Sequence, residues 1–259
     1  MRVIPYLSLL LALQREAAGS QQSKAKNFVC THPAYKVHIV SSSPLVIYLR
    51  GFLTDQEREH LRDISEGHFK RSVVGEGKQS AGRTSQSAYV TRDAVVECIE
   101  ERALAFQGYD IPASHLEPLQ LVRYGPEEQY HLHHDWSADP ASSRVANGGN
   151  RASSFFAYVH VRNDTTGGGT NFPLIDAPTD ERWCEIVDCD EPWDRGVTFR
   201  PIQGNAIYWE NLSPEDGAGD PRTLHAGLPL TSGEKMGLNI WTRQSPLSEE
   251  AREKYIYPN

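Results

Sequence analysis

Between residues 117 and 243 the chain is written in short apolar or aromatic runs cut by turn-rich segments, and this pattern limits the fold most severely. The runs are Leu119–Tyr124, Phe155–Arg162, Val197–Pro201, Asn205–Trp209 and Met236–Arg243. Each has the length of a strand, and turn-forming residues crowd the intervals. Such spacing suits an antiparallel barrel or jelly roll. A further strand-like run, Pro44–Tyr48, precedes them. The first half supplies helices instead. Thr54 and Glu57 make a capping box that opens one helix. A second, about Arg92–Gln107, carries Val95, Val96, Ile99, Ala103 and Phe106 on one stripe and stops at Gly108. The expected class is α+β, a double-stranded β-helix (jelly roll) core with supporting helices from the N-terminal half.

A chain of 259 residues that is 39% apolar can bury a substantial core. No composition break divides it after residue 40, so one domain is expected, over 44–245, with an N-terminal extension at 20–43 and a tail at 246–259. Arg2, the apolar run Val3–Leu13 and the small residues Ala17-Ala18-Gly19 have a signal-peptide layout over 1–19. That run is too short for a stable membrane span. Secretory-pathway entry, to the endoplasmic reticulum lumen or beyond, suits four cysteines that can form two disulfides, with Cys184 and Cys189 closing a short loop. It also suits the glycosylation patterns Asn163-Asp-Thr and Asn211-Leu-Ser. A net charge of −8 argues against nucleic acid and anionic membrane as partners. Nothing in the sequence sets an oligomeric state. Gly75–Ser87 reads as a mobile loop, and the polar Ser137–Asn150 as a lid or rim loop.

Tyr124–Trp136 contains His131, His133 and Asp135, directly after a strand-like run. On a strand, residues two apart share a face at roughly 7 Å, close enough for two side chains to converge on one metal ion. Residues 131 and 135 would lie roughly 13 Å apart, so the pair is either His131/His133 or His133/Asp135. A third ligand must come from elsewhere. Downstream, His225 precedes a Pro-Leu-Thr-Ser-Gly-Glu-Lys turn, and Lys235 opens the strand to Trp241. A hairpin there would carry His225 to the metal and return Lys235 beside it. Two histidines and a carboxylate form the facial triad of a non-haem Fe(II), with positions open for a chelating 2-oxo acid and O₂. A lysine nearby would pair with the acid's far carboxylate.

With these motifs, about Pro44–Arg243 resembles the prolyl 4-hydroxylase group of Fe(II)/2-oxoglutarate dioxygenases. The likeness rests on Tyr124-Gly125, Tyr130, His133-x-Asp135, Gly167-Gly-Gly-Thr-Asn-Phe-Pro173, Gly204-Asn-Ala206, and His225 followed by Lys235 and Trp241. It implies His133, Asp135 and His225 as iron ligands, and Lys235, Tyr124 and Thr170 as partners of 2-oxoglutarate, with Trp241 near it. It implies substrate contacts at Arg83, Ser85, Glu117, Tyr130 and Arg151. Arg243 stands where some members have an imidazole.

The implied reaction consumes 2-oxoglutarate and O₂, releases succinate and CO₂, and hydroxylates an unactivated C–H, with ascorbate as reductant. A proline-rich peptide is the expected substrate, since a polyproline II segment loses little entropy on binding and docks on aromatic rims. Tyr130, Trp136 and Tyr158 are candidates for that rim. A free amino acid or small metabolite is the alternative within the same chemistry. A zinc hydrolase using His131, His133 and a further histidine would leave Lys235 and the Gly-Gly-x-Thr turn without a role. A non-catalytic secreted binding module would have no use for the intact triad.

Overall fold

The structure is a computed structural model and describes residues 28–73, 79–108, 110–190 and 195–256. The expected leader, 1–19, lies outside the described residues. The strands are β1 (Lys36–Ser42), β2 (Leu45–Arg50), β3 (Lys70–Arg71), β4 (Gln86–Tyr89), β5 (Gln120–Tyr124), β6 (Tyr130–His133), β7 (Arg151–Val161), β8 (Thr166–Gly167), β9 (Thr170–Phe172), β10 (Val197–Phe199), β11 (Ala206–Glu210), β12 (His225–Gly227), β13 (Leu230–Ser232) and β14 (Lys235–Arg243). Helices α1 (Asp55–Ser65) and α2 (Ala94–Gln107) come from the first half, and α3 (Glu249–Ile256) from the tail.

A major antiparallel sheet runs in the order β1-β2-β11-β7-β14-β5-β4-β3, and a minor one in the order β10-β9-β12-β6. Strand alternation sorts the side chains between two cores. Ile47, Leu49, Phe155, Ala157 and Val159 face the helices, together with Leu61, Val95, Val96 and Ile99. Their neighbours Val46, Tyr48, Phe156 and Tyr158 face the other way, onto Phe172, Val197 and Phe199 of the minor sheet. The result is helices, major sheet and minor sheet in layers, the arrangement that buries both faces of a large sheet.

The helices start where local chemistry demands. Thr54 caps α1 with the expected reciprocal box, Thr54 N donating to Glu57 Oε2 at 2.8 Å. Asp93 caps α2, its Oδ1 accepting from Val95 N and Val96 N. The pairings Cys30–Cys98 and Cys184–Cys189 are disulfides, the first clipping the N-terminal segment to α2.

Three expectations about local structure change. The sheet begins at β1, so the β1–β2 hairpin spans the expected boundary at residue 44. Within the stretch read as the loop Gly75–Ser87, Ser80 and Arg83 pair across a turn, and Gln86 already belongs to β4. Residues 74–78 lie outside the described residues. Strand β6 ends at His133, and Asp135 sits in the following bend rather than on the same strand face. The cause is Trp136, whose Nε1 donates to Asp220 O at 3.1 Å and whose ring covers Gly219 so closely that a Cβ there would lie 2.1 Å away.

Candidate active site

The antiparallel register of β12 on β6 sets His225 directly opposite His133, with their ring centroids 4.2 Å apart. The bend after β6 swings Asp135 back toward the pair. Asp135 Oδ1 lies 3.9 Å from His133 Nε2, and Oδ2 lies 3.9 Å from His225 Nε2. Ligand atoms of the three residues all lie within 4.8 Å of one another. Donors so grouped fit one ion with bonds of about 2 Å after a small contraction. Of the two pairs left open, His131/His133 and His133/Asp135, the structure brings the second to His225, while His131 is exposed and outside the cluster.

Each donor is oriented from behind. His133 Nδ1 donates to His131 O at 2.8 Å, and His225 Nδ1 donates to Thr223 O at 2.9 Å. Both rings thus turn an unprotonated Nε2 toward the centre. Burial, and then repulsion from His225, pushes the His133 imidazolium down to about 3. Burial likewise lowers His225. For Asp135, burial acts upward, but His225, Arg151 and His133 outweigh it and hold the carboxyl below its usual range. Ser154 Oγ and Trp241 Nε1 donate to its Oδ2 at 2.7 and 2.9 Å, which leaves Oδ1 free of a close donor. Tyr130 stacks on His133 with centroids 3.6 Å apart, and Phe172 on His225 at 5.4 Å.

Lys235 opens β14 opposite Tyr124 and is wholly buried. Its ammonium donates to Gly168 O and lies 4.7 Å from the Tyr124 ring centroid. Burial alone pushes it down to about 7, because among the described residues no anion lies beside it to favour the charge. Gly168 adopts φ +72°, and a Cβ there would meet Leu230 at 3.0 Å and Lys235 Cδ at 3.4 Å. Both the turn and the approach of its carbonyl to the lysine thus favour glycine. Thr170 shares a 2.8 Å hydrogen bond with the Tyr158 hydroxyl.

A cavity of about 710 Å³ opens onto this centre. His133, Asp135 and His225 line it together with Tyr124, Phe156, Thr170 and Trp241, and Tyr130 and Trp136 line it as well. Tyr158, expected on the rim, is instead fully buried, because it faces the minor sheet from within β7.

The residues implied as substrate contacts divide into two groups. Arg83, Tyr130, Arg151 and Arg243 line the cavity. Arg83 lies 4.5 Å over the Tyr130 ring and donates to Val73 O and Gln120 Oε1. Ser85 and Glu117 are fully buried and sit one layer back. Ser85 donates to Ser72 Oγ at 3.0 Å. Glu117 accepts from Arg151 Nε and Arg243 Nε, each at 2.7 Å. Its burial acts to raise the carboxyl, and the two guanidiniums reverse that effect. Arg151 in turn lies 3.6 Å over the Trp241 ring and 3.6 Å from Asp135 Oδ1. Ser154, Tyr89 and Tyr255 were not legible as site residues. Only the alternation of β7, which puts Ser154 on the face of Phe156 and Tyr158, hinted at the first.

Residues 119–243 match the family model of the 2OG-Fe(II) oxygenase superfamily. The chain is similar to prolyl 4-hydroxylase 1 of Arabidopsis thaliana, 32% identical over 222 residues that cover 82% of this chain and 74% of that one. It is 30% identical over 232 residues to prolyl 4-hydroxylase subunit alpha-3 of Rattus norvegicus, covering 87% of this chain and 38% of that subunit. Among solved structures, the viral collagen prolyl hydroxylase of Paramecium bursaria Chlorella virus-1 shares the fold, with a TM-score of 0.54 and 22% identity over 83% of this chain and 99% of that one. Sequence, fold and the grouped His133, Asp135 and His225 agree: the chain belongs to the prolyl 4-hydroxylase family of Fe(II)/2-oxoglutarate dioxygenases.

Proposed function

We propose that this chain hydroxylates prolyl residues of an extended, proline-rich peptide or protein, consuming 2-oxoglutarate and O₂ and releasing succinate and CO₂. The observation that carries the reading is the convergence of His133, Asp135 and His225 at the inner end of a cavity large enough for a peptide segment. We read the two antiparallel sheets as the double-stranded β-helix that presents these ligands.

His133 and His225 would hold Fe(II) through Nε2, and Asp135 through its carboxylate. When bound with 2-oxoglutarate and O₂, the iron supplies the oxidant that turns an unactivated C–H into C–OH, with ascorbate as the reductant that restores it. The chain's own residues position and exclude. Lys235 is the group for the far carboxylate of 2-oxoglutarate, since an anion in that dry pocket restores the charge that burial suppresses. Tyr124 and Thr170 line the cavity and offer hydroxyls. Trp241 and Ser154 hold Asp135 by one oxygen, which keeps the other turned to the metal. Tyr130 and Trp136 furnish a rim on which a polyproline II segment can lie. Arg83 and Arg151 face the peptide, and Ser85 and Glu117 act through the side chains in front of them. A zinc hydrolase built on His131 and His133 finds no support, since His131 stands outside the cluster.

The two disulfides support a setting in the secretory pathway, where such bonds persist. Among the described residues no helix is long and apolar enough to cross a membrane. The test is mass spectrometry of proline-rich peptides after aerobic incubation with Fe(II), 2-oxoglutarate and ascorbate. Gain of one oxygen on proline is the expected result. Oxidation of a free amino acid or metabolite with every peptide untouched would overturn the peptide reading.

A further inference from the structure

Beyond Arg243, where the family-model match stops, the chain turns back over the cavity. Leu247 is buried, and its N donates to Ser114 O at 2.8 Å. Arg252 Nη1 donates to the carbonyls of Ala113 and Leu116, each at 2.9 Å, which seats α3 against the segment leading into β5. The last turn of α3 delivers Tyr255 to the wall of the cavity that contains the metal-ligand cluster. There its ring meets that of Tyr89 edge-on, with centroids 5.6 Å apart and planes at 61°.

Arg243 explains how Tyr255 is held. Nη2 donates to the Tyr255 hydroxyl at 3.0 Å, Nε to Glu117 at 2.7 Å, and Nη1 to Gly149 O at 2.6 Å. All three guanidinium nitrogens are engaged. Although Arg243 lines the cavity, its hydrogen bonds serve the protein, tying the rim loop, the buried carboxylate and the C-terminal helix together. Tyr89 and Tyr255 remain as a two-ring aromatic surface beside it. Burial raises both phenols above their ordinary range, so the surface is uncharged near neutral pH.

We propose that Tyr255 is a specificity-determining residue, forming with Tyr89 a shelf that receives the ring of a proline flanking the target proline, and that Arg243 is the positioning residue that holds the shelf. A neutral pair of aromatic rings favours an apolar ring over a charged or small side chain. A polyproline II segment presents such rings on a fixed repeat without further ordering. The inference rests on the prolyl hydroxylase reading and deepens it, by naming peptides with clustered prolines as the preferred class.

The experiment compares kcat and KM for two peptides that differ only in a flanking proline or alanine, with the wild type and Tyr255→Ala, Tyr255→Phe, Tyr89→Leu and Arg243→Ala. KM for 2-oxoglutarate and bound iron are measured alongside. The wild type should prefer the flanking proline by about tenfold in kcat/KM, carried by KM, the scale of one apolar group filling a pocket. Tyr255→Ala and Tyr89→Leu should each bring the ratio to within about twofold of unity. Tyr255→Phe should keep most of the preference because the ring remains, and Arg243→Ala should lose part of it. KM for 2-oxoglutarate should not move in the Tyr255 variants. A wild-type ratio retained in Tyr255→Ala, or in Tyr89→Leu should the first variant fail to fold, overturns the shelf alone. A wild type that converts 2-oxoglutarate but hydroxylates neither peptide overturns the prolyl reading and the shelf with it.

Discussion

Lys235, proposed above to meet 2-oxoglutarate, is buried at the expense of stability, and Lys235→Met should make the free protein more stable. The lysine in an unfolded chain keeps its proton up to an ordinary 10.5, whereas burial pushes the folded one to about 7. Between those values the unfolded chain binds more protons, so stability rises with pH, and below 7 the full cost is present. At about 1.4 kcal/mol per pH unit, the displacement sets a ceiling of roughly 5 kcal/mol. The hydrogen bond to Gly168 O offsets about 1 kcal/mol of it, and the Tyr124 ring adds a similar amount. Methionine matches the volume and carries no charge. A net gain of about 2–4 kcal/mol near pH 6.5 would raise Tm by roughly 5–12 °C in a chain of this size. The advantage should shrink by about pH 9, where the wild type has recovered a little over half of that cost. Calorimetry on metal-free protein at the two pH values measures both effects, and titration of 2-oxoglutarate into anaerobic Fe(II) protein should show binding largely lost. A variant that melts below the wild type, or a gap that ignores pH, would refute the reasoning.

Other expectations follow from the same structure. His133→Ala, Asp135→Ala and His225→Ala should each lose iron by elemental analysis, while His131→Ala keeps it. Glu117→Gln leaves two arginines on a neutral amide in a dry site, so urea unfolding should show a loss of about 3–5 kcal/mol. Cys98→Ala opens the 68-residue loop closed with Cys30 and should cost about 4 kcal/mol by the chain-entropy account, measured by the same unfolding curves. In a glycosylating host, peptide mapping should find sugar at the exposed Asn163 and none at Asn211, which is fully buried and bonded to Trp209 and Ser154.

What was legible in the sequence follows from whether a role depends on side-chain chemistry or on register. The roles proposed for His133, Asp135, His225 and Lys235 are ones that few residue types can serve, so their order and spacing pointed to them. Ser154 holds Asp135 only because β14 sets Trp241 opposite Ser154 on β7, and a serine within a strand announces nothing of this. Tyr255 was invisible for a similar reason, since a tyrosine in a tail gains meaning only when the tail folds back. Alternation misled at two places. It extended β6 to Asp135, where the capture of Trp136 by Asp220 bends the chain, and it offered no way to tell that Tyr158 faces a second sheet rather than solvent. The capping box of α1 and the short strands of the core were legible because propensity and tertiary packing ask for the same thing there.

The paired carbonyls behind the two imidazoles have a consequence for how the site fills. Each ring is already neutral, with its one proton committed to a backbone oxygen two residues upstream. At neutral pH, capture of a divalent ion at these rings therefore displaces no proton. Near neutral pH, loading then depends on the supply of ferrous ion, whereas the charge on Lys235, pushed down by burial to about 7, changes in that same range.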